Sequence, residues 1–204
     1  MESIQSGVYR YQTVIGDEQD FFLWQLAYNE DEATITVHDR GNLMVNRCLL
    51  DGTTVSWFFR DGKGSEVSAS RKENTLQLVR WDGTSRSVEM SQLDRRPWFQ
   101  PLSFSLKTIL DSEQERVTFW SIRQDTLDVV SLEAVKKRTE LLEVNGDEFP
   151  SVVVEIRMTG LLGAVWHGTY WFRARDCLFL QYRGVNGLPG SDETIITLVE
   201  RLGG

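Results

Sequence analysis

Along most of the chain, apolar and polar residues alternate in short runs, and each run stops at a turn-forming pair. ATITVHD (33–39) is the cleanest case. Ala33, Ile35 and Val37 fall on one side of an extended backbone, and Thr34, Thr36 and His38 on the other. Around it lie GVYRYQTVI (7–15), FFLWQLAY (21–28), LMVNRCLL (43–50), TTVSWFFR (53–60), EVSASRK (66–72), TLQLVRW (75–81) and TSRSVEM (84–90), many of them rich in aromatic and β-branched residues. Asp51-Gly52, DGKG (61–64) and Asp82-Gly83 separate several of these runs, and such pairs accept the positive φ that tight hairpins need. Short strands at this spacing, divided by turns, predict a mainly β architecture.

The alternation breaks at DRRPWFQPLSFSLKTILDSEQE. There Leu102, Leu106, Ile109 and Leu110 follow helical spacing after Pro101, which predicts one short amphipathic helix near 101–111. Strands resume with RVTFWSIR (116–123). The segment 127–144 carries helix-compatible pairs (Glu133–Lys137, Lys136–Glu140) but also Val129, Val130 and an Asn145-Gly146 turn; two strands are the favoured reading. SVVVEIRM (151–158) and TIITLVERL (194–202) are further strands. Between them, WHGTYWFRARDCLFLQYRG reads as a hairpin about a three-residue turn, Arg175-Asp176-Cys177. In that register Phe172 faces Leu180 and Tyr170 faces Tyr182. The opposite, more polar face holds His167, Thr169, Trp171, Arg173, Gln181 and Arg183. The expectation is a single domain over 1–204, with halves 1–93 and 114–204 joined by the 94–113 helix segment.

Charge and chemistry narrow the function. The net charge is −8 and no Lys/Arg stripe opposes it, which weighs against nucleic acid as a partner. No apolar run reaches the length of a membrane span, and MESIQSGVYRY lacks the features of a signal peptide, so the chain as read is expected in the cytoplasm. His38, His167, Cys48 and Cys177 stand too far apart for metal-ligand motifs, and no metal or other cofactor is expected. At strand spacing, His167 and Cys177 lie at opposite ends of their hairpin, beyond the contact a Cys–His nucleophile requires. No G-x-S-x-G elbow occurs and no carboxylate pair stands out. No catalytic residue is assigned.

Seven tryptophans are more than a core of this size normally needs, and large amphipathic rings line ligand clefts as well as cores. The pattern Trp166…Tyr170-Trp171-Phe172…Asp176…Leu180…Tyr182…Gly187-x-Pro189-Gly190…Thr194…Leu198 resembles a family of bacterial β-clam proteins. These are curved antiparallel sheets with a helical crossing element, similar to the open half-barrels that carry lipoproteins between bacterial membranes. The specific part spans about residues 150–202. The resemblance implies a curved half-barrel and an envelope setting, and it supplies no catalytic residue. Cys177 stands where the pattern leads one to expect glycine.

The favoured reading is a non-enzymatic binding module whose concave sheet, helped by the helix, holds an apolar small molecule, a lipid or a partner segment. Trp24, Trp57, Phe59, Trp98, Trp120 and Trp166 are the candidate lining. The alternative is a structural or protein-interaction domain that docks through His167, Trp171 and Arg173. A hydrolase using dispersed carboxylates ranks third.

Overall fold

The computed structural model describes residues 3–160, 167–185 and 192–203. Among them, eight strands follow one another as antiparallel hairpins: β1 (Gly7–Ile15), β2 (Glu18–Tyr28), β3 (Glu32–Asp39), β4 (Asn42–Leu49), β5 (Thr54–Arg60), β6 (Glu66–Lys72), β7 (Thr75–Trp81) and β8 (Arg86–Gln92). Two helical turns come next, α1 (Leu102–Ser105) and α2 (Lys107–Leu110). A second meander follows: β9 (Arg116–Ile122), β10 (Val129–Val144), β11 (Asp147–Met158), β12 (His167–Arg173), β13 (Phe179–Val185) and β14 (Glu193–Leu202). Strand β1 pairs with β14, so the two meanders form one 14-stranded antiparallel sheet with β8 and β9 at its ends.

The alternation seen in the sequence is what curls this sheet. Its concave rows run across strands, as in Leu26–Ile35–Asn46–Trp57–Ala69–Leu78, all buried. Concave residues of β1–β4 and of β9–β14 enter a single core with Phe99, Phe104, Leu106, Ile109 and Leu110 of the crossing segment. The helical stretch is therefore the filling of the half-barrel. Its predicted apolar stripe is borne out, with the helix interrupted at Leu106 and Phe104 buried as well. Gly52 lets the β4–β5 turn lie directly on α1: it sits at φ +96°, and a Cβ there would stand 2.7 Å from the Ser105 carbonyl oxygen.

The crossing segment also ties β9, at one end of the sheet, to β5 of the first meander. The Trp120 N–H donates to the Pro97 carbonyl (2.8 Å), and the Phe99 N–H to the Trp120 carbonyl (2.9 Å). On the other side the Thr54 N–H donates to the Trp98 carbonyl (2.9 Å). A few residues of extended chain thus cover the edge of β9 and link it to the start of β5, which removes part of an exposed strand edge.

Two readings of the sequence need correction. Residues 129–144 form one long strand, not two. A bulge between Lys136 and Arg138 adds one residue, yet even-numbered positions pack on the core on both sides of it: Leu132 and Ala134 before, Leu142 and Val144 after. The distal half of the β10–β11 hairpin therefore buries its opposite face and bends toward β14. There Asn145 Nδ2 donates to the carbonyls of Leu198 (2.9 Å) and Val199 (2.8 Å). The charged residues that suggested a helix pair across strands instead, Glu133 with Arg116 and Arg157 and Lys137 with Glu155. In the β12–β13 hairpin Tyr170 does face Tyr182, but Phe172 pairs with Phe179 across a bulge, not with Leu180. The turn runs from Arg173 to Leu178, with Cys177 at φ 61°, the left-handed conformation that explains the expectation of glycine.

Candidate functional site

Four of the six candidate lining residues come together. Trp57 and Trp98 are buried in a second, smaller apolar cluster with Ala69, Leu76, Leu78, Leu93 and Ile122, and the half-buried Phe59 and Trp120 pack against it. Strand pairing explains the convergence. Phe59 lies two residues beyond Trp57 on the same face of β5, with stacked rings 6.3 Å apart. Trp98 and Trp120 meet through the bridge between the crossing segment and β9. Met44, Val67, Leu127 and Val129, all half-buried, pack against it as well. Gln124 Nε2 approaches the Met44 sulfur at 3.6 Å.

The polar residues that border this cluster pair with one another. Trp120 donates its indole N–H to Asp94 Oδ1 (2.9 Å), and the Arg96 guanidinium lies 4.2 Å from the Trp120 ring centre. Arg96 also pairs with Asp94 (2.8 Å), and Arg71 donates to the carbonyls of Arg96 (2.5 Å) and Asp94 (2.6 Å). Hydrogen bonds from the Arg96 side chain and from Trp120 hold the Asp94 carboxyl well below the usual carboxylate range.

A buried polar seam separates this cluster from the main core. The Gln100 N–H donates to Thr54 Oγ1 (2.6 Å), while the Thr54 hydroxyl donates to the Gln100 carbonyl (2.8 Å). The Gln100 side chain accepts from the Ile122 N–H (3.1 Å) and from the Ser121 hydroxyl (3.3 Å), and its Nε2 donates to the Ile122 carbonyl (3.2 Å). Each of these groups finds a partner in the seam. Asn46 does not: it is fully buried beside Trp57 with neither amide atom partnered.

Trp24 belongs to the main core, edge-on to Tyr9 (5.6 Å between ring centres) and Tyr11 (6.4 Å). Trp166 lies outside the described residues, as do Gly187, Pro189 and Gly190. His167 is exposed, whereas Trp171 and Arg173 are half-buried. The bent β10–β11 hairpin accounts for this. Trp171 donates its indole N–H to Glu140 (2.7 Å), and Arg173 lies 5.9 Å from the Phe149 ring centre. Arg173 also grips Asp176, the one buried carboxylate among the described residues, through two hydrogen bonds of 2.8 and 2.6 Å. The polar face read from the sequence is therefore partly occupied by the protein itself. Nothing in local alternation could have shown that, because it depends on the distant bulge.

Both thiols are poor nucleophiles. Burial pushes the Cys48 thiol up to about 12, against weaker opposition from the Thr54 and Ser105 hydroxyls. Burial, with the neighbouring Asp111 carboxylate, pushes Cys177 up to about 12 as well. Sequence reasoning passed over Met44 and Asn46. Their alternation on β4 with Cys48 was legible, but nothing local marked Asn46 as a buried polar group.

The fold is shared with a solved β-barrel-like protein of the domain of unknown function DUF1849 from Brucella abortus, at TM-score 0.67 and 8% identity over 98% of each chain. The hypothetical lipoprotein YmcC from Escherichia coli aligns at TM-score 0.43 and 14% identity, over 98% of this chain and 92% of its own. The LolA superfamily protein NE2245 from Nitrosomonas europaea aligns at TM-score 0.30 and 6% identity, over 99% of this chain and 89% of its own. No family model and no curated protein matches. At such identity the first likeness establishes the barrel-like antiparallel fold alone.

Proposed function

We propose that this protein is a non-enzymatic binding module that holds an apolar ligand in the groove floored by Trp57 and Trp98 and walled by Met44, Phe59, Val67, Trp120, Leu127 and Val129. One observation carries the reading. This second apolar cluster stands apart from the main core, and its outer members are only partly covered. Half-covered aromatic rings beside a separate apolar cluster are what an apolar guest would contact. The chain's own crossing segment fills the rest of the concave side, so the ligand site is narrower than the whole sheet. The resemblance of the C-terminal hairpin to β-clam proteins favours an alkyl-chain guest and an envelope setting.

The test is an alkyl probe titrated against tryptophan fluorescence, with native mass spectrometry and solvent extraction of the freshly purified protein. Saturable quenching is expected. Phe59→Ser at the rim should weaken it about tenfold while leaving the fold intact. A fluorescence signal that never responds to any alkyl probe overturns the proposal.

A further inference from the structure

The sheet has two end strands, and the chain treats them differently. Along β9, residues 97–99 run as extended chain and bond to the Trp120 backbone. Along β8, among the described residues, no segment takes that place. Strand β8 is seven residues long, pairs with β7 without a bulge, and contains no proline or lysine. It therefore lacks most of the devices that blunt a sheet edge.

Two hydrogen bonds fix which backbone groups this edge offers. The Asp82 N–H donates to the Ser85 carbonyl (3.3 Å), and the Leu93 N–H to the Asn74 carbonyl (2.7 Å). Bonded pairs alternate along an antiparallel ladder, so the odd-numbered residues of β8 bond to β7. Arg86, Val88, Met90 and Gln92 then turn their N–H and C=O groups outward. Their side chains lie on the convex face, where Val88 is 50% exposed and Met90 62%, beside Trp81 at 43%. Val88 ends a largely apolar convex row, Val45–Phe58–Ser68–Val79–Val88, which stops at the open edge.

The concave side of β8 carries the charges that select an occupant. Glu89 lies across from Leu78, Ser87 lies across from Arg80, and Arg80 pairs with Glu89 at 3.2 Å. A second β8 laid antiparallel about a two-fold axis pairs even-numbered residues with even-numbered ones. With Val88 opposite Met90, Glu89 meets Glu89, and like charges stand directly opposed. With Met90 opposite Met90, Val88 meets Gln92, and Glu89 meets Ser91, which is backed by Leu76 and no cation. With Val88 opposite Val88, Glu89 meets Ser87, backed by Arg80 of the second copy, and the convex apolar row runs unbroken from one copy into the other. The edge is complementary to itself in that register.

We infer that β8 is a homodimer contact, in which two copies join their sheets antiparallel about a two-fold axis at Val88. The contact is independent of the groove and of any ligand in it. One strand per copy makes a small interface and a weak dimer. The net charge of −8 on each copy opposes association at low ionic strength.

The experiment is sedimentation velocity of the full chain at about 0.15 M salt and at concentrations up to about 0.5 mM. The wild type should shift from monomer to dimer as concentration rises. Val88→Pro removes an N–H that points away from β7, so the β7–β8 bonds survive, and it should weaken the dimer about tenfold or more with an unchanged circular dichroism spectrum. Met90→Lys sets a cation opposite Arg86 of the second copy and should weaken it several-fold; this variant carries the test should Val88→Pro unfold. Cys48 and Cys177 are buried, so thiols introduced at the edge report alone. Mild oxidation should link Val88→Cys into a disulfide dimer, since facing bonded residues stand about 5.5 Å apart between Cα atoms. Met90→Cys should stay unlinked. A wild type that remains monomeric throughout overturns the inference, and so does a dimer indifferent to both Val88→Pro and Met90→Lys. Linkage of Met90→Cys as readily as Val88→Cys overturns it too.

Discussion

The two apolar clusters of this protein are made from the same residue types and behave differently. In the larger one, Tyr11 is wholly buried, stacks against Phe22 and Phe179 with ring centres 5.3 Å apart in each case, and donates its hydroxyl to the Phe179 carbonyl at 2.8 Å. Trp24 in the same cluster is buried too, with its indole N–H unpartnered. In the smaller one, Trp57 and Trp98 are just as buried, their N–H groups are likewise unpartnered, and their neighbours Phe59 and Trp120 are half-covered. Unpartnered polar atoms thus occur in both clusters, and the difference between them lies in size and in how far the outer rings are covered.

That contrast can be broken at its strong end first. Phe104→Ala removes a fully buried ring from the filling of the half-barrel and should lower global stability by about 3–5 kcal/mol in urea unfolding. A loss of similar size from the exposed side of the groove would erase the distinction. Next in size is the seam. Thr54→Val leaves the Gln100 N–H and carbonyl buried without their partner and should cost about 1–3 kcal/mol. Hydrogen exchange should show the loosening concentrated where β5 meets the crossing segment. The smallest effect is expected at the rim. Trp120→Ala should cost only about 1 kcal/mol, because the ring is half-exposed, while changing alkyl-probe binding far more than stability.

Much of the fold was legible before any coordinates. Strands β1 to β9 fell within a few residues of their predicted runs, because alternation and Asp-Gly turns are local signals. The helix was legible from its apolar spacing, though not its role as filling, which depends on how far the sheet curls. The long β10 strand was not, because the charged run around Lys136–Glu140 interrupts its apolar alternation and offers helix-compatible pairs, while the bulge that turns its distal half is not a local signal. Of the residues expected to line a site, Trp57, Phe59, Trp98 and Trp120 fall in one cluster. Trp24 was drawn into that group by residue type and belongs instead to the main core, since two strands and a row of the sheet separate it from Trp57. Asn46 was not singled out as a buried polar residue without a partner, because that property exists only in three dimensions.

The pairing of β1 with β14 carries a consequence for how the molecule is made. The first meander can assemble from contacts between neighbours, which is fast, but the outer backbone groups of β1 wait for a strand that lies about 180 residues further along the chain. Through that interval a nascent chain displays a ready template for mispairing. Premature release, or a lesion late in β14, would therefore injure the earliest-formed part of the molecule as much as the last.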